Sequence, residues 1–169
     1  MGWHEMFKET TGGVPVALVY CTLCGTGILL ETKVEGRDEP FVLASSGFLY
    51  RSNKLMFGRQ TNSLWNQFTG QPVSGPLFRS GIALKIRPVV ITSWAKLKAL
   101  HPHTTALSLY KGHDRDYDSG VVYRQYFNSP DLMFSAIVRN EEPLKRKDYV
   151  FGIRDDGAAR AWPMTAFEK

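Results

Sequence analysis

Gly12-Gly13-Val14-Pro15-Val16-Ala17-Leu18-Val19-Tyr20-Cys21-Thr22-Leu23-Cys24-Gly25-Thr26-Gly27 is the stretch that decides the fold. Val14 to Tyr20 is apolar and rich in β-branched residues, and it reads as a buried strand running into Cys21. Gly12-Gly13 punctuate its start, and Gly25-Thr26-Gly27 close a turn after the cysteines. Ile28 to Val34 reads as a second strand, so the two form a hairpin with Cys-x-x-Cys at its tip.

Outward from this hairpin the pattern stays strand-like. Phe41 to Tyr50 reads as a third strand bent at Gly47, Lys54 to Arg59 as a fourth, Ile82 to Ile86 as a half-buried fifth, and Thr105 to Leu109 as a short sixth. Ser93 to Leu100 is the clearest helix, capped by Thr92 or Ser93 and stopped by His101-Pro102. Tyr110 to Pro130 reads as a long functional loop. Tyr149 to Arg154 and Ala158 to Trp162 read as a hairpin turning at Asp156-Gly157, and Pro163 to Phe167 as the start of a helix. The expected class is α+β: a strand-dominated mixed sheet or barrel-like core with a few peripheral helices, forming a single domain over 1–169.

Composition narrows the function classes. The 169 residues are 43% hydrophobic and 22% charged, near globular averages, which excludes wholesale disorder. No apolar run approaches the ~18 residues of a membrane helix, and MGWHEMFKE shows no secretory leader. The net charge of +5 is scattered apart from Lys145-Arg146-Lys147, so no nucleic-acid partner is expected. Compartment stays open, because a reversible Cys-x-x-Cys pair occurs in oxidising and reducing settings alike. Strings for phosphate-binding loops, dinucleotide binding, zinc proteases and serine hydrolases are absent from the sequence.

Cys21 and Cys24 carry the sharpest chemistry, because the turn brings two sulfurs into one small volume near peptide N–H groups. The spacing serves a metal site or a dithiol redox site, and it is equally open to a structural thiol packed under a strand end. His4 is the expected imidazole beside them, making Cys21, Cys24 and His4 the candidate catalytic set and also the candidate ligands of a soft metal such as copper. The alternative for His4 is an N-terminal helix residue making a plain hydrogen bond. His113 is the more distant partner, and His101 and His103 sit at a helix end.

Arg59, Ser63, Trp65 and Gln67 are dense in polar groups between apolar anchors, and with Arg115, Asp116 and Tyr117 they are the expected lining of a small-molecule site. Two readings follow. In the first, a thiol-centred pocket binds a metal ion or performs thiol chemistry on a small molecule. In the second, a non-catalytic module binds an anionic ligand and its cysteines are structural. Within the Cys-x-x-Cys pair, Cys21 is expected to be shielded and Cys24 accessible.

WHEMF (Trp3 to Phe7), GGVPVALVYCTLCGTG (Gly12 to Gly27), SSGFLYRSNKLMF (Ser45 to Phe57), RQTNSLWNQFTG (Arg59 to Gly70), HPHTTALS (His101 to Ser108) and RDY (Arg115 to Tyr117) together resemble the bacterial and archaeal family known as domain of unknown function 3179. The resemblance runs in order along nearly the whole chain and implies no settled activity. Two departures stand out: Lys8-Glu9 replaces an acidic or amide pair, and Gly58 stands where relatives usually carry Asp. The resemblance also implies that a segment like Val150 to Phe167 occurs twice in relatives, once ahead of the WHE string, so this chain is expected to be truncated on its N-terminal side.

Overall fold

The computed structural model describes residues 2–110, 112–118, 120–134 and 144–168. By its internal packing the chain divides into two compact units, Met1–Val122 and Tyr123–Lys169.

The first unit holds two four-stranded antiparallel sheets. One runs in the order β1 (Met6–Thr11), β2 (Val14–Cys21), β3 (Thr26–Glu31), β8 (Ile86–Arg87). The other runs β4 (Leu43–Tyr50), β5 (Asn53–Gly58), β6 (Ser63–Asn66), β7 (Pro72–Ser74). The opening stretch forms β2 as read, and β2 pairs with β3 from Val16↔Glu31 to Cys21↔Thr26. Alternation along β2 buries Ala17, Val19 and Cys21. Ala17 and Val19 join Leu30, Phe41, Leu43, Met56, Trp65 and Leu84 in a core shared by both sheets. Phe41 meets the Trp65 ring edge-on at 4.8 Å between centroids, a favoured aromatic geometry.

The turns explain the registers. Gly12 and Gly13, at φ +56° and +78°, make a two-residue hairpin loop that brings β1 back along β2. Arg51 and Ser52 make the same kind of turn between β4 and β5 with φ of 50° and 62°, an unusual burden for two residues bearing side chains. The β4 bend falls where expected: pairing shifts between Ser45 and Leu49, and Gly47 has φ +76°.

Several expectations are corrected. The sheets are separate and wholly antiparallel, so neither a mixed sheet nor a closed barrel forms among the described residues. Met6–Thr11 is a strand, where none was expected. The fifth strand shrinks to Ile86–Arg87, although Leu84 still hydrogen-bonds Gly70 and is buried. Residues 105–109 pair with no strand among the described residues, and Leu107 and Leu109 are exposed. The helix α1 (Trp94–Leu100) is capped by the Ser93 hydroxyl, as expected, but buries no residue. The expected loop from 110 to 130 contains α2 (Arg124–Asn128), and its Lys111 and Ser119 lie outside the described residues.

In the second unit, β9 (Val150–Asp155) and β10 (Ala158–Pro163) form the expected hairpin over Asp156 and Gly157, followed by a 3-10 turn at Met164–Phe167. Near α2, the Lys147 ammonium lies 3.6 Å from the centre of the Tyr126 ring. Burial pushes the Tyr126 hydroxyl pKa up.

Gly58 ends β5 with no room for a side chain, because an added Cβ would stand 2.7 Å from Trp65 Nε1. Gly58→Ala and Gly58→Asp should each destabilise the protein by about 1–3 kcal/mol through this overpacking. Thermal denaturation of both variants checks this, and unchanged melting temperatures would contradict it.

Candidate redox site at the hairpin tip

The four-residue loop from Thr22 to Gly25 closes on a hydrogen bond from Gly25 N–H to Cys21 O at 2.9 Å, with Gly25 at φ +65°. This turn places the Cys21 and Cys24 Cα atoms 5.3 Å apart, and the sulfurs are joined as a disulfide. Cys21 ends the buried strand and is 3% exposed, whereas Cys24 is half-buried, so the two residues differ in exposure. Cys24 Sγ lies 3.3 Å from the carbonyl oxygen of Ser52, which brings the β2–β3 tip against the β4–β5 turn.

Thr22, between the cysteines, is buried and donates its hydroxyl to Glu5 Oε1 at 3.1 Å. Glu5 Oε2 accepts from Ser45 Oγ at 2.9 Å and pairs with the Lys54 ammonium, which also donates to Ser45 Oγ at 2.7 Å. Lys54 lies on β5 with its side chain only 7% exposed. A buried ammonium needs such a partner, because an unpaired charge in the interior is heavily penalised. Burial alone would raise the Glu5 pKa, but the Lys54 hydrogen bond and charge, with the Ser45 and Thr22 donors, outweigh it and hold the carboxyl below its ordinary 4.5.

A second polar chain lies behind the tip. Gln67, fully buried, donates to Val19 O at 2.8 Å and Thr26 O at 3.2 Å. Thr26 Oγ1 stands 3.3 Å from Asn53 Oδ1 and 3.4 Å from Gln67 Oε1.

The remaining sequence candidates fall into two groups. Trp3 Nε1 donates to Asp116 O at 2.7 Å, and His4 Nε2 shares a 2.8 Å hydrogen bond with the Tyr117 hydroxyl. The Arg115 guanidinium lies 5.1 Å from the Trp3 ring centre, and the His113 ring 5.3 Å from that of His4. The WHE string and the RDY string therefore meet, as one exposed cluster. Ser63, Trp65 and Gln67 are instead fully buried: Ser63 Oγ receives Leu77 N–H at 3.1 Å, and Trp65 packs on Phe41. Arg59 is exposed, and its backbone N–H donates to Val42 O at 3.0 Å. No group of three or more His, Cys, Asp or Glu close enough to hold a metal ion occurs among the described residues, and His4 partners Tyr117 and His113.

Glu5, Thr22 and Lys54 carry no role in the sequence-based expectations. Lys54 only abuts the apolar run Leu55-Met56-Phe57 and follows the polar Arg51-Ser52-Asn53, so its burial has no clear local signal.

A family model described as "Protein of unknown function (DUF3179)" matches residues 1–169. The chain belongs to the DUF3179 family. No curated protein and no solved structure matches it. The strings from which the resemblance was read lie largely in the first unit of this DUF3179 protein, and WHEMF, GGVPVALVYCTLCGTG and SSGFLYRSNKLMF supply Glu5, Thr22, Ser45 and Lys54.

Because folding lowers the Glu5 pKa, its carboxylate contributes stability above pH 4.5 that is lost as pH falls through the lower folded value. Glu31, held low by Lys85 and Arg87, adds its own acid sensitivity. The stability gap between the parent and Glu5→Gln isolates the Glu5 part. It should be largest near neutrality and shrink below pH 4.5. Denaturant unfolding at pH 7, 5 and 3 checks this, and a gap independent of pH would contradict it.

Proposed function

We propose that this protein performs thiol–disulfide exchange at Cys21–Cys24 on a small thiol or disulfide. The observation that carries the reading is the unequal pair itself: one cysteine buried at the end of a sheet strand, the other half-buried at a hairpin tip. Loop length supports exchange over stapling. Closing a loop this short removes roughly 2 kcal/mol of unfolded-chain entropy by the usual scaling, less than longer loops give.

In the reduced state the Cys24 thiolate attacks a substrate disulfide RSSR, forming a mixed disulfide and releasing one RS⁻, which takes up a proton. The Cys21 thiolate then attacks Cys24 Sγ, closing the protein disulfide and releasing the second RS⁻. The net reaction converts two protein thiols and RSSR into the protein disulfide and two RSH, and it runs in reverse when RSH is in excess. Access decides the order, since the shielded sulfur of Cys21 is suited to resolving rather than attacking.

Incubating Cys21→Ser with oxidised glutathione should trap a stable mixed disulfide on Cys24. Cys24→Ser should form one at least tenfold more slowly. Intact-mass spectrometry over time reads both. Equal rates, or no adduct in either folded variant, would contradict the reading.

A further inference from the structure

A buried ion pair is weak evidence of a stabilising role, because a well-packed apolar pair of similar volume often serves folding equally well. The position of Glu5–Lys54 gives it a different consequence. Thr22 follows Cys21 directly in the chain, and its hydroxyl is bonded to the Glu5 carboxylate, which in turn holds Lys54. The geometry points to a charge-setting role: Lys54 favours negative charge on the Cys21–Cys24 sulfurs during exchange, and Glu5 opposes it. This inference rests on the exchange reading above and names two positioning residues for it.

The physical basis is Coulombic. Because Thr22 and Cys21 are adjacent in the chain, the carboxylate bonded to the Thr22 hydroxyl stands on the order of 8 Å from the Cys21 sulfur. In the parent the two opposite charges largely cancel there. Removing one unmasks the other, and a unit charge at that range in an effective dielectric of about 20–40 alters an equilibrium by roughly five- to thirtyfold. Reduction of the disulfide expels a cysteine thiolate, and a better-stabilised thiolate leaves faster. The two substitutions therefore act in opposite directions, whereas damage to packing would move both the same way.

The test is the rate at which dithiothreitol reduces the folded, oxidised full chain at pH 7, read by quenching with an alkylating reagent and weighing the products. Glu5→Gln should accelerate reduction about fivefold or more, and Lys54→Met should slow it by a similar factor. Glu31→Gln is the control for charge in general. Its side chain lies five residues along the hairpin from Cys21↔Thr26, about 16 Å away, and its rate should stay within twofold of the parent. Should Lys54→Met fail to fold, the double variant Glu5→Gln/Lys54→Met decides, and its rate should lie closer to the parent than that of Glu5→Gln alone. Rates that move the same way in both single variants, a control that shifts as far as Glu5→Gln, or a double variant that keeps the full acceleration would overturn the inference. A parent disulfide that yields to dithiothreitol only on unfolding would overturn the exchange reading itself, which is a distinguishable failure.

Discussion

The ammonium of Lys54 sits inside a strand whose neighbours are Leu55 and Met56, and the protein must answer that charge. The answer comes from Glu5, which lies just before β1, the edge strand of the other sheet. The same carboxylate accepts from Thr22 in the cysteine turn and from Ser45 on β4. One buried charge thus ties the start of the chain, the tip of the β2–β3 hairpin and two strands of the second sheet to a single point. Replacing any of these partners leaves a polar group without its bond, which is the expensive way to fail.

That point lies at one end of a shared core. Ala17, Val19 and Leu30 come from one sheet and Leu43, Met56 and Trp65 from the other, with Phe41 and Leu84 closing over them. The core brings the two hairpin tips together, so that Cys24 rests on Ser52 O while Gln67 crosses to the carbonyls of Val19 and Thr26. Outside the disulfide, the site is therefore held by rigid backbone and by side chains with few free rotamers. Such a scaffold suits chemistry that needs two sulfurs to part and rejoin without disturbing the sheets around them.

The hairpin that carries the cysteines was legible because its signals are local: an apolar β-branched run, glycines at both ends and a turn of fixed length. The Ser93 cap, the Gly47 bend and the Asp156-Gly157 turn were legible for the same reason. β1 escaped notice because Met6–Thr11 is half exposed and polar, although the Gly12-Gly13 pair between two strand-length segments marked a two-residue hairpin. β6 and β7 escaped because they are short, and their polar residues serve the core: Ser63 caps a turn inward and Gln67, just past β6, spans to the other sheet. Part of the polar density around Trp65 thus serves internal bonding. The meeting of His4 with Tyr117 and of Glu5 with Lys54 spans 113 and 49 residues, and no local pattern encodes such distant contacts.

The central property is a Cys21–Cys24 bond that opens and closes while the fold persists. The direct measurement is an equilibrium titration of the full chain in glutathione buffers of graded ratio, with the disulfide fraction read by mass after alkylation and the fold read by far-ultraviolet circular dichroism. A reversible two-electron transition at an unchanged spectrum is the predicted result. A disulfide that gives way only together with the β-sheet signal would make it a structural clasp and would contradict the account.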